Sequence, residues 1–216
     1  MKIFKFLITF LLIFSISFGI IVEEIVQKVV ETYNKLNTFS SILEIYNREG
    51  NKEEFSIYEF YFQKPDIYRL NMIEGRDKGA VAILRDGKVR GHHGGLLRFI
   101  ILTVNPDDPL VLSIRKGRID ESGLEYVVQQ LTQGSSLKLI GEENIAGYLC
   151  YVLEMGLSKD RLHTYVSQKF YIDKNTFIPI QLEQYENYNG VKTLTHRRTY
   201  KNYKINPNLD PNIFKI

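Results

Sequence analysis

The residues that could do chemistry are four histidines, one cysteine and adjacent carboxylates such as Asp107-Asp108 and Glu142-Glu143. His92 and His93 are neighbours in a segment with strand character, so their side chains are expected on opposite faces and cannot bind one metal ion together. His163 and His196 have no cysteine, glutamate or histidine close by at metal-ligand spacing. We therefore predict no metal site and no cofactor.

The adjacent carboxylates are more typical of turns than of a catalytic site. Asp107 and Asp108 lie between prolines, where turn formation explains them, and Glu142 and Glu143 are interpreted as a solvated turn. Phosphate-binding glycine loops, G-x-S-x-G and H-E-x-x-H motifs are missing from the sequence. Cys150 lies in the apolar run YLCYVL and is predicted to be buried. The pattern predicts a protein that is not an enzyme.

The charge and the length of the chain limit its possible partners and its number of domains. Lysine and arginine number 28 against 25 acidic residues, in mixed order along 216 residues. Nucleic-acid binding needs basic residues concentrated on one face, so we predict no nucleic-acid partner. Residues 20–216 show no linker or repeat and are predicted to form one domain, as a monomer.

The N-terminus has the order of an export signal: lysines, an apolar run, then small residues at Ser17 and Gly19. We predict a signal peptide at residues 1–19 and a periplasmic protein. The alternative is an uncleaved inner-membrane anchor, since apolar character continues over residues 6–22, near the short limit for a span.

Residues 58–72, YEFYFQKPDIYRLNM, predict a hairpin that turns at Lys64-Pro65-Asp66. With the period of two of a strand, one face collects six apolar and aromatic side chains: Tyr58, Phe60, Phe62, Tyr68, Leu70 and Met72. This face could be covered by the protein's own helices, which would make a core, or by an apolar guest molecule. We predict that it binds acyl chains.

Helical spacing of apolar residues predicts an amphipathic helix over residues 22–38. A second helix is predicted over residues 120–132, with Asp120 as its N-cap and with an apolar stripe of Leu124, Val127, Val128 and Leu131.

Almost all of the remaining sequence has strand character. Asp86-Gly87 predicts a hairpin in which Leu84 faces Val89 and Ala82 faces Gly91. LLRFIILTV is interpreted as a further strand or buried segment, and Asn189-Gly190 as the last hairpin turn. The faces of that last strand pair do not sort cleanly, which either a bulge or a guest-lined surface would explain.

The predicted fold is mainly β with α: one curved antiparallel sheet of roughly 9 to 11 strands, with helices on its concave side.

The order of several motifs resembles the LolA/LolB superfamily of periplasmic lipoprotein carriers. The matching residues are Lys64-Pro65, Tyr68-Arg69, Asp86-Gly87-Lys88, Gly147, Cys150, Leu153, Ile172, Asp173, Thr176, Pro179 and Asn189-Gly190. The chain is also similar to the bacterial domain-of-unknown-function family 1571. That similarity rests on Lys78-Gly79, the N-P-x-x-P loop at 105–109 and the helix start at 119–124.

The resemblance implies a LolA-like half-barrel whose cavity takes the acyl chains of a lipid or lipoprotein and is closed by the 120–132 helix as a lid. Lys64 stands where some carriers have an arginine that latches the lid, so it is the candidate latch. Partners would be an inner-membrane release complex and an outer-membrane receptor. A sensory or protein-binding module of the same fold is the alternative function.

Overall fold

The computed structural model describes residues 20–134 and 136–216. The predicted signal peptide at residues 1–19 lies outside the described residues. Among the helices of the described part, none combines the length and apolarity needed to cross a bilayer.

Two α-helices form where apolar residues recur at helical spacing. Helix α1 spans Val22–Lys35, with acidic side chains in its first turn and Lys35 in its last, as the helix dipole favours. Helix α2 spans Leu124–Gln133. Both predicted helices are confirmed, although the predicted N-cap of the second is wrong.

Asp120 lies in a 3-10 turn, Asp120–Ser122, and Gly123 is the residue that precedes α2. The Asp120 carboxylate instead accepts hydrogen bonds from the Arg118 guanidinium, at 3.0 Å and 2.6 Å. The intervening 3-10 turn therefore moves the start of the helix three residues beyond the position that the sequence pattern suggests.

Eleven strands of the described chain form one antiparallel sheet in the order β6-β5-β4-β3-β2-β1-β13-β12-β11-β8-β7, and β9 and β10 form a separate ribbon. The strands are β1 Thr38–Glu49, β2 Lys52–Gln63, β3 Ile67–Glu74, β4 Val81–Arg85, β5 Lys88–His92, β6 Leu102–Val104, β7 Lys138–Ile145, β8 Tyr148–Met155, β9 Ser158–Lys159, β10 Thr164–Tyr165, β11 Ser167–Asp173, β12 Pro179–Tyr188 and β13 Val191–Ile205. The predicted mainly-β fold with one curved, open antiparallel sheet and helices on its concave side is confirmed.

The predicted hairpin registers are confirmed residue by residue. In the first hairpin Tyr58 faces Met72, Phe60 faces Leu70 and Phe62 faces Tyr68. In the second, Leu84 faces Val89 and Ala82 faces Gly91. The aromatic face of β2 and β3 and the small-residue face of β4 and β5 therefore belong to one continuous concave surface.

The irregular last hairpin contains a bulge. The register of β12 against β13 shifts between Gln184 and Tyr185, and the hairpin turns at Asn189-Gly190 with both residues at positive φ. Of the two explanations that the sequence allowed, the bulge is the one found. It changes which face the residues beyond it occupy, so strict alternation fails there.

Two segments differ from the prediction. LLRFIILTV is not a strand throughout, because only Leu102–Val104 pairs with β5, while the preceding residues 95–101 form an exposed loop. Glu142 and Glu143 lie on the exposed strand β7 and not in a turn. β7 is an edge strand that is exposed along almost its whole length, so its polar residues resemble a turn in sequence, which accounts for the second error.

The helices cover only part of the concave face. Side chains from α1 and α2 form one buried cluster with β8, β11 and β12: Ile25, Val29, Val127, Val128, Leu131, Leu153, Met155, Phe170, Ile172 and Leu182. A second cluster extends over β1 to β5 and continues onto β13, β12, β11 and β8; it includes Phe39, Leu43, Phe60, Phe62 and Tyr200. Beyond it, towards β4 to β6, the concave face borders a cavity.

Candidate functional site

A cavity of about 590 Å³ lies against the concave face at the β3 to β6 end of the sheet. Its volume falls within the ~300–1,000 Å³ typical of small-molecule sites. The sheet supplies an apolar wall made of Ile45, Tyr58, Leu70, Met72, Val81, Ala82, Val89, Leu102 and Val104. The cavity can therefore shield an apolar molecule from water.

The six residues predicted to bind acyl chains are divided by the structure. Tyr58, Leu70 and Met72 line the cavity. Phe60, Phe62 and Tyr68 are almost completely buried in the adjoining cluster, where the rings of Phe62 and Tyr68 lie 4.9 Å apart. Their end of the hairpin, next to the 64–66 turn, contacts the C-terminal end of α1 through Lys64. These three rings are therefore covered by the protein itself and form the core beside the cavity wall.

Burial raises the pKa of the Tyr58 hydroxyl at the cavity wall. The phenol therefore stays neutral at any physiological pH. The aromatic part of the wall presents no charge to an apolar guest.

The four predicted lid residues, Leu124, Val127, Val128 and Leu131, are all buried against α1 and the sheet. Two side chains of β13 bind the residues that precede α2. The Arg198 guanidinium donates to the Glu121 carbonyl, and the Tyr200 hydroxyl donates to the Ser122 carbonyl at 2.7 Å. Helix α2 is thus packed beside the cavity.

The segment between β6 and α2 also lines the cavity, through residues 109–113 and 117–119, and no sequence pattern had indicated it. We name residues 109–119 the cover segment. It contributes Pro109, Leu110, Val111, Leu112 and Ile119 to the lining. Only a 3-10 turn, Pro109–Val111, is regular within it, with Asp108 capping the Leu110 amide at 3.0 Å. A long, proline-bounded loop of this kind is often functional, and its length was the signal that could have found it.

Arg115 anchors this cover segment. Its side chain is only 4% exposed and forms an ion pair with Glu186 of β12. It also donates to the Arg48 carbonyl at the end of β1, at 2.8 Å. The Arg115 carbonyl lies 3.0 Å from Nε2 of His163. The Arg115 side chain therefore ties the cover segment to both β1 and β12.

Lys64, the predicted latch, contacts the C-terminal end of α1. Its ammonium donates to the carbonyls of Tyr33 at 2.6 Å and Asn34 at 3.2 Å. It also lies 4.4 Å from the centre of the Tyr33 ring. A cation at the carbonyl end of a helix satisfies orphan acceptors and opposes the negative end of the dipole. The hairpin turn is thereby fastened to α1.

We expect a Lys64→Met variant to lose about 1 kcal/mol of unfolding free energy, since a charged hydrogen-bond donor leaves the helix end. Urea unfolding followed by circular dichroism measures this loss. The matched control is Lys35→Met, which removes an exposed cation from the last turn of α1, the helix end that Lys64 contacts, and should cost less than half as much. Equal losses in both variants would show that the Lys64 contacts contribute nothing specific.

A row of buried polar side chains crosses the concave face beside the cavity. Asn47, His196, Gln184 and Gln168 are register partners on β1, β13, β12 and β11. Gln184 donates to Gln168 at 2.9 Å, and Nδ1 of His196 lies 2.8 Å from Oδ1 of Asn47. Asn47, Gln184 and His196 of this row line a smaller polar pocket of about 70 Å³, and Asn47 also lines the large cavity.

His196 is held neutral in this row. Burial, followed by the charges of Arg198 and Arg115, lowers its pKa well below the ordinary value. Nε of Arg198 donates to Nε2 of His196 at 3.1 Å, so the imidazole proton resides on Nδ1 and is donated to Asn47. Both ring nitrogens are satisfied only in the neutral form.

Because the folded pKa of His196 is depressed, the unfolded chain binds this proton more readily. Stability should therefore fall by up to about 1.4 kcal/mol per pH unit as pH drops below ~6.5, the unfolded pKa. The measurement is urea unfolding of wild type and His196→Asn at several pH values between neutrality and mild acid. The free-energy difference between the two should shrink as pH falls, and a constant difference would contradict the assignment.

The other candidate chemical groups have structural contacts. Nδ1 of His93 pairs with the Asp77 carboxylate at 2.5 Å, and β5 ends at His92, so both histidines border the cavity. Cys150 is buried as predicted, and this burial raises the pKa of its thiol to about 12. Among the described residues no three histidine, cysteine or carboxylate side chains are placed to hold a metal ion.

The arrangement of one curved sheet, two helices and an apolar cavity can be compared with known proteins. The family described as "Protein of unknown function (DUF1571)" matches residues 25–216. The chain belongs to the DUF1571 family. No curated protein sequence matches the chain significantly.

Solved structures agree on the fold of this DUF1571 protein. LprF from Mycobacterium bovis is 12% identical with a TM-score of 0.50, over 84% of this chain and 91% of LprF. MucB is 16% identical with a TM-score of 0.53, over 90% of this chain and 62% of MucB, so the chain spans about three fifths of MucB. The LolA superfamily protein NE2245 from Nitrosomonas europaea is 16% identical with a TM-score of 0.44, over 92% and 99% of the two chains. The chain therefore shares its fold with LprF and MucB.

Proposed function

We propose that this DUF1571 protein is a periplasmic binding protein or carrier that shields the acyl chain of a lipid or lipoprotein in its cavity. The observation that supports this most is the cavity of about 590 Å³ with an apolar sheet wall and an apolar cover. An acyl chain gains about 0.8 kcal/mol for each CH₂ group removed from water. Such a chain can cross an aqueous compartment only if it is covered.

The cavity volume limits the cargo. An apolar cavity of ~150 Å³ holds benzene, which has six carbon atoms. At the same density, 590 Å³ holds roughly two dozen carbon atoms. This is enough for one long or two short acyl chains and too little for three long ones. We propose a cargo with one or two chains in the cavity at a time.

The polar residues at the rim provide a place for a headgroup. Arg76 and His92 line the cavity on the β3 to β5 side, and Asn47, Arg118 and Ser122 line it next to the polar pocket. A molecule with an apolar tail and a polar head fits this distribution, because each part meets a matching surface.

Residues 109–119 are the proposed gate. They line the cavity with little regular structure of their own and are held chiefly through Arg115. By contrast, the turn that precedes α2 is hydrogen-bonded to Arg198 and Tyr200 of β13, and α2 itself is packed in the core. Short, irregular segments with few backbone bonds open at lower free energy than packed helices. Opening of this cover would admit and release the acyl chain while α1 and α2 stay in place.

The test is native mass spectrometry of the protein exported to a bacterial periplasm and purified gently. We expect a discrete mass excess that extracts into organic solvent and is identified as a lipid. A protein without added mass that also fails to take up cis-parinaric acid would refute the proposal. That result would favour the alternative of a sensory or protein-binding module.

A further inference from the structure

The loop between β5 and β6 concentrates exposed apolar side chains. Leu96 is 96% exposed and Phe99 is 77% exposed, and Leu97, Ile100 and Ile101 are about half exposed. We name residues 96–101 the apolar loop. Single exposed apolar residues are normal on protein surfaces, but five within six consecutive positions mark an interaction surface.

The apolar loop is held in place at its base. The Asp77 carboxylate accepts a hydrogen bond from the Gly94 amide at 2.8 Å and pairs with His93. The backbone of Gly94 packs directly on the Lys78 carbonyl, since a Cβ at Gly94 would lie 2.0 Å from that oxygen. The exposure of the loop is therefore built into the fold through the 76–79 turn.

The charges around the apolar loop are basic. Arg98 lies within it, and the exposed Arg76 and Lys78 lie in the turn that supports it. The acid of this turn, Asp77, is occupied by His93. Basic side chains beside exposed leucine, isoleucine and phenylalanine are typical of segments that lie in a membrane interface and contact anionic headgroups.

The apolar loop also adjoins the cavity. The residues on either side of it, His93 before and Leu102 after, both line the cavity. The strand that follows, β6, has only three residues, which gives little edge for pairing with a second copy.

We infer that the apolar loop inserts into the surface of a phospholipid bilayer that carries anionic headgroups, with Arg76, Lys78 and Arg98 contacting those headgroups. Insertion would bring the mouth of the cavity to the membrane. The inference goes beyond the proposed function and does not require it, since the loop side chains lie outside the cavity.

The chain contains no tryptophan, so a single substitution provides a local probe. The Phe99→Trp variant of the full chain is mixed with vesicles of phosphatidylethanolamine and phosphatidylglycerol whose acyl chains carry bromine. We expect a blue shift and quenching of its fluorescence. Leu157→Trp, at a position 78% exposed beyond β8, is the matched control and should show neither.

Two further variants test separately how apolar insertion and electrostatic attraction contribute to vesicle binding. Adding Leu96→Ser to Phe99→Trp should weaken vesicle binding by about tenfold or more, because a fully exposed leucine no longer enters the lipid. Replacing Arg76, Lys78 and Arg98 together by glutamine should remove the difference between these vesicles and phosphatidylcholine vesicles, as should high salt.

An unchanged Phe99→Trp spectrum with anionic vesicles would overturn the inference, as would an equal response of Leu157→Trp. A fluorescence change that depends on protein concentration without vesicles would overturn it in favour of self-association. Failure of the proposed function is a separate result: a protein that takes up no cis-parinaric acid but shows the Phe99→Trp response would keep the inference and lose the carrier.

Discussion

An Ala82→Phe variant is expected to bind cis-parinaric acid about a hundredfold more weakly than wild type. Ala82 lies on β4 opposite Gly91 and lines the cavity. A phenyl ring at this position takes the space of about four methylene groups, each contributing ~0.8 kcal/mol to acyl-chain binding. The summed loss of about 3 kcal/mol corresponds to a factor of about one hundred.

The same variant should not lose stability, because the ring enters an existing cavity and does not displace packed side chains. Thr103→Phe is the matched control: it adds the same ring to β6, two strands from β4, at an exposed position that does not line the cavity. Normal binding by Thr103→Phe and weak binding by Ala82→Phe, with both variants folded, would support the cavity. Normal binding by folded Ala82→Phe would remove this cavity as the acyl-chain site.

The largest stability effect is expected at Arg115. Arg115→Met leaves the carboxylate of Glu186, which is 15% exposed, without its cation. Removing one partner of a buried ion pair typically costs about 3–5 kcal/mol, and we expect about 3 kcal/mol here. Because Arg115 also ties the cover segment to the Arg48 carbonyl, release of bound cis-parinaric acid should be faster in this variant.

Urea unfolding and stopped-flow displacement measure the two effects. Arg118→Met, in the same segment, is the control for the unfolding measurement alone, since the Arg118–Asp120 pair is about one third exposed and should contribute less than about 1 kcal/mol. The double variant Arg115→Met/Glu186→Leu should recover most of the lost stability, because no uncompensated charge remains. A double variant as unstable as the single one would show that the loss arises from packing and not from the unpaired carboxylate.

The local structure of this protein was largely predictable from its sequence. Period-two alternation and the turn at Lys64-Pro65-Asp66 specify the pairing of Phe62 with Tyr68, because a register slip would expose the whole apolar face. Helical spacing likewise specifies α1. The burial of Cys150 follows from its apolar surroundings.

The predictions failed where one sequence pattern is compatible with two different local structures. The run LLRFII has the composition of a buried strand, yet it is an exposed loop, because apolar composition does not distinguish a core segment from an interaction surface. Asp120 has the spacing of a helix cap, but the guanidinium of Arg118 takes its carboxylate. Such competition between local partners is not visible in residue spacing.

The sequence by itself determined the sheet-forming hairpins, the two amphipathic helices and the apolar character of one sheet face, since these depend on local periodicity and turn chemistry. Only the tertiary structure decided what covers that face. Phe60, Phe62 and Tyr68 became core, while Tyr58, Leu70 and Met72 became the wall of a cavity. The physical reason is that α1 and α2 reach over only part of the sheet, and a non-local ion pair, Arg115 with Glu186, holds the irregular cover segment over the rest.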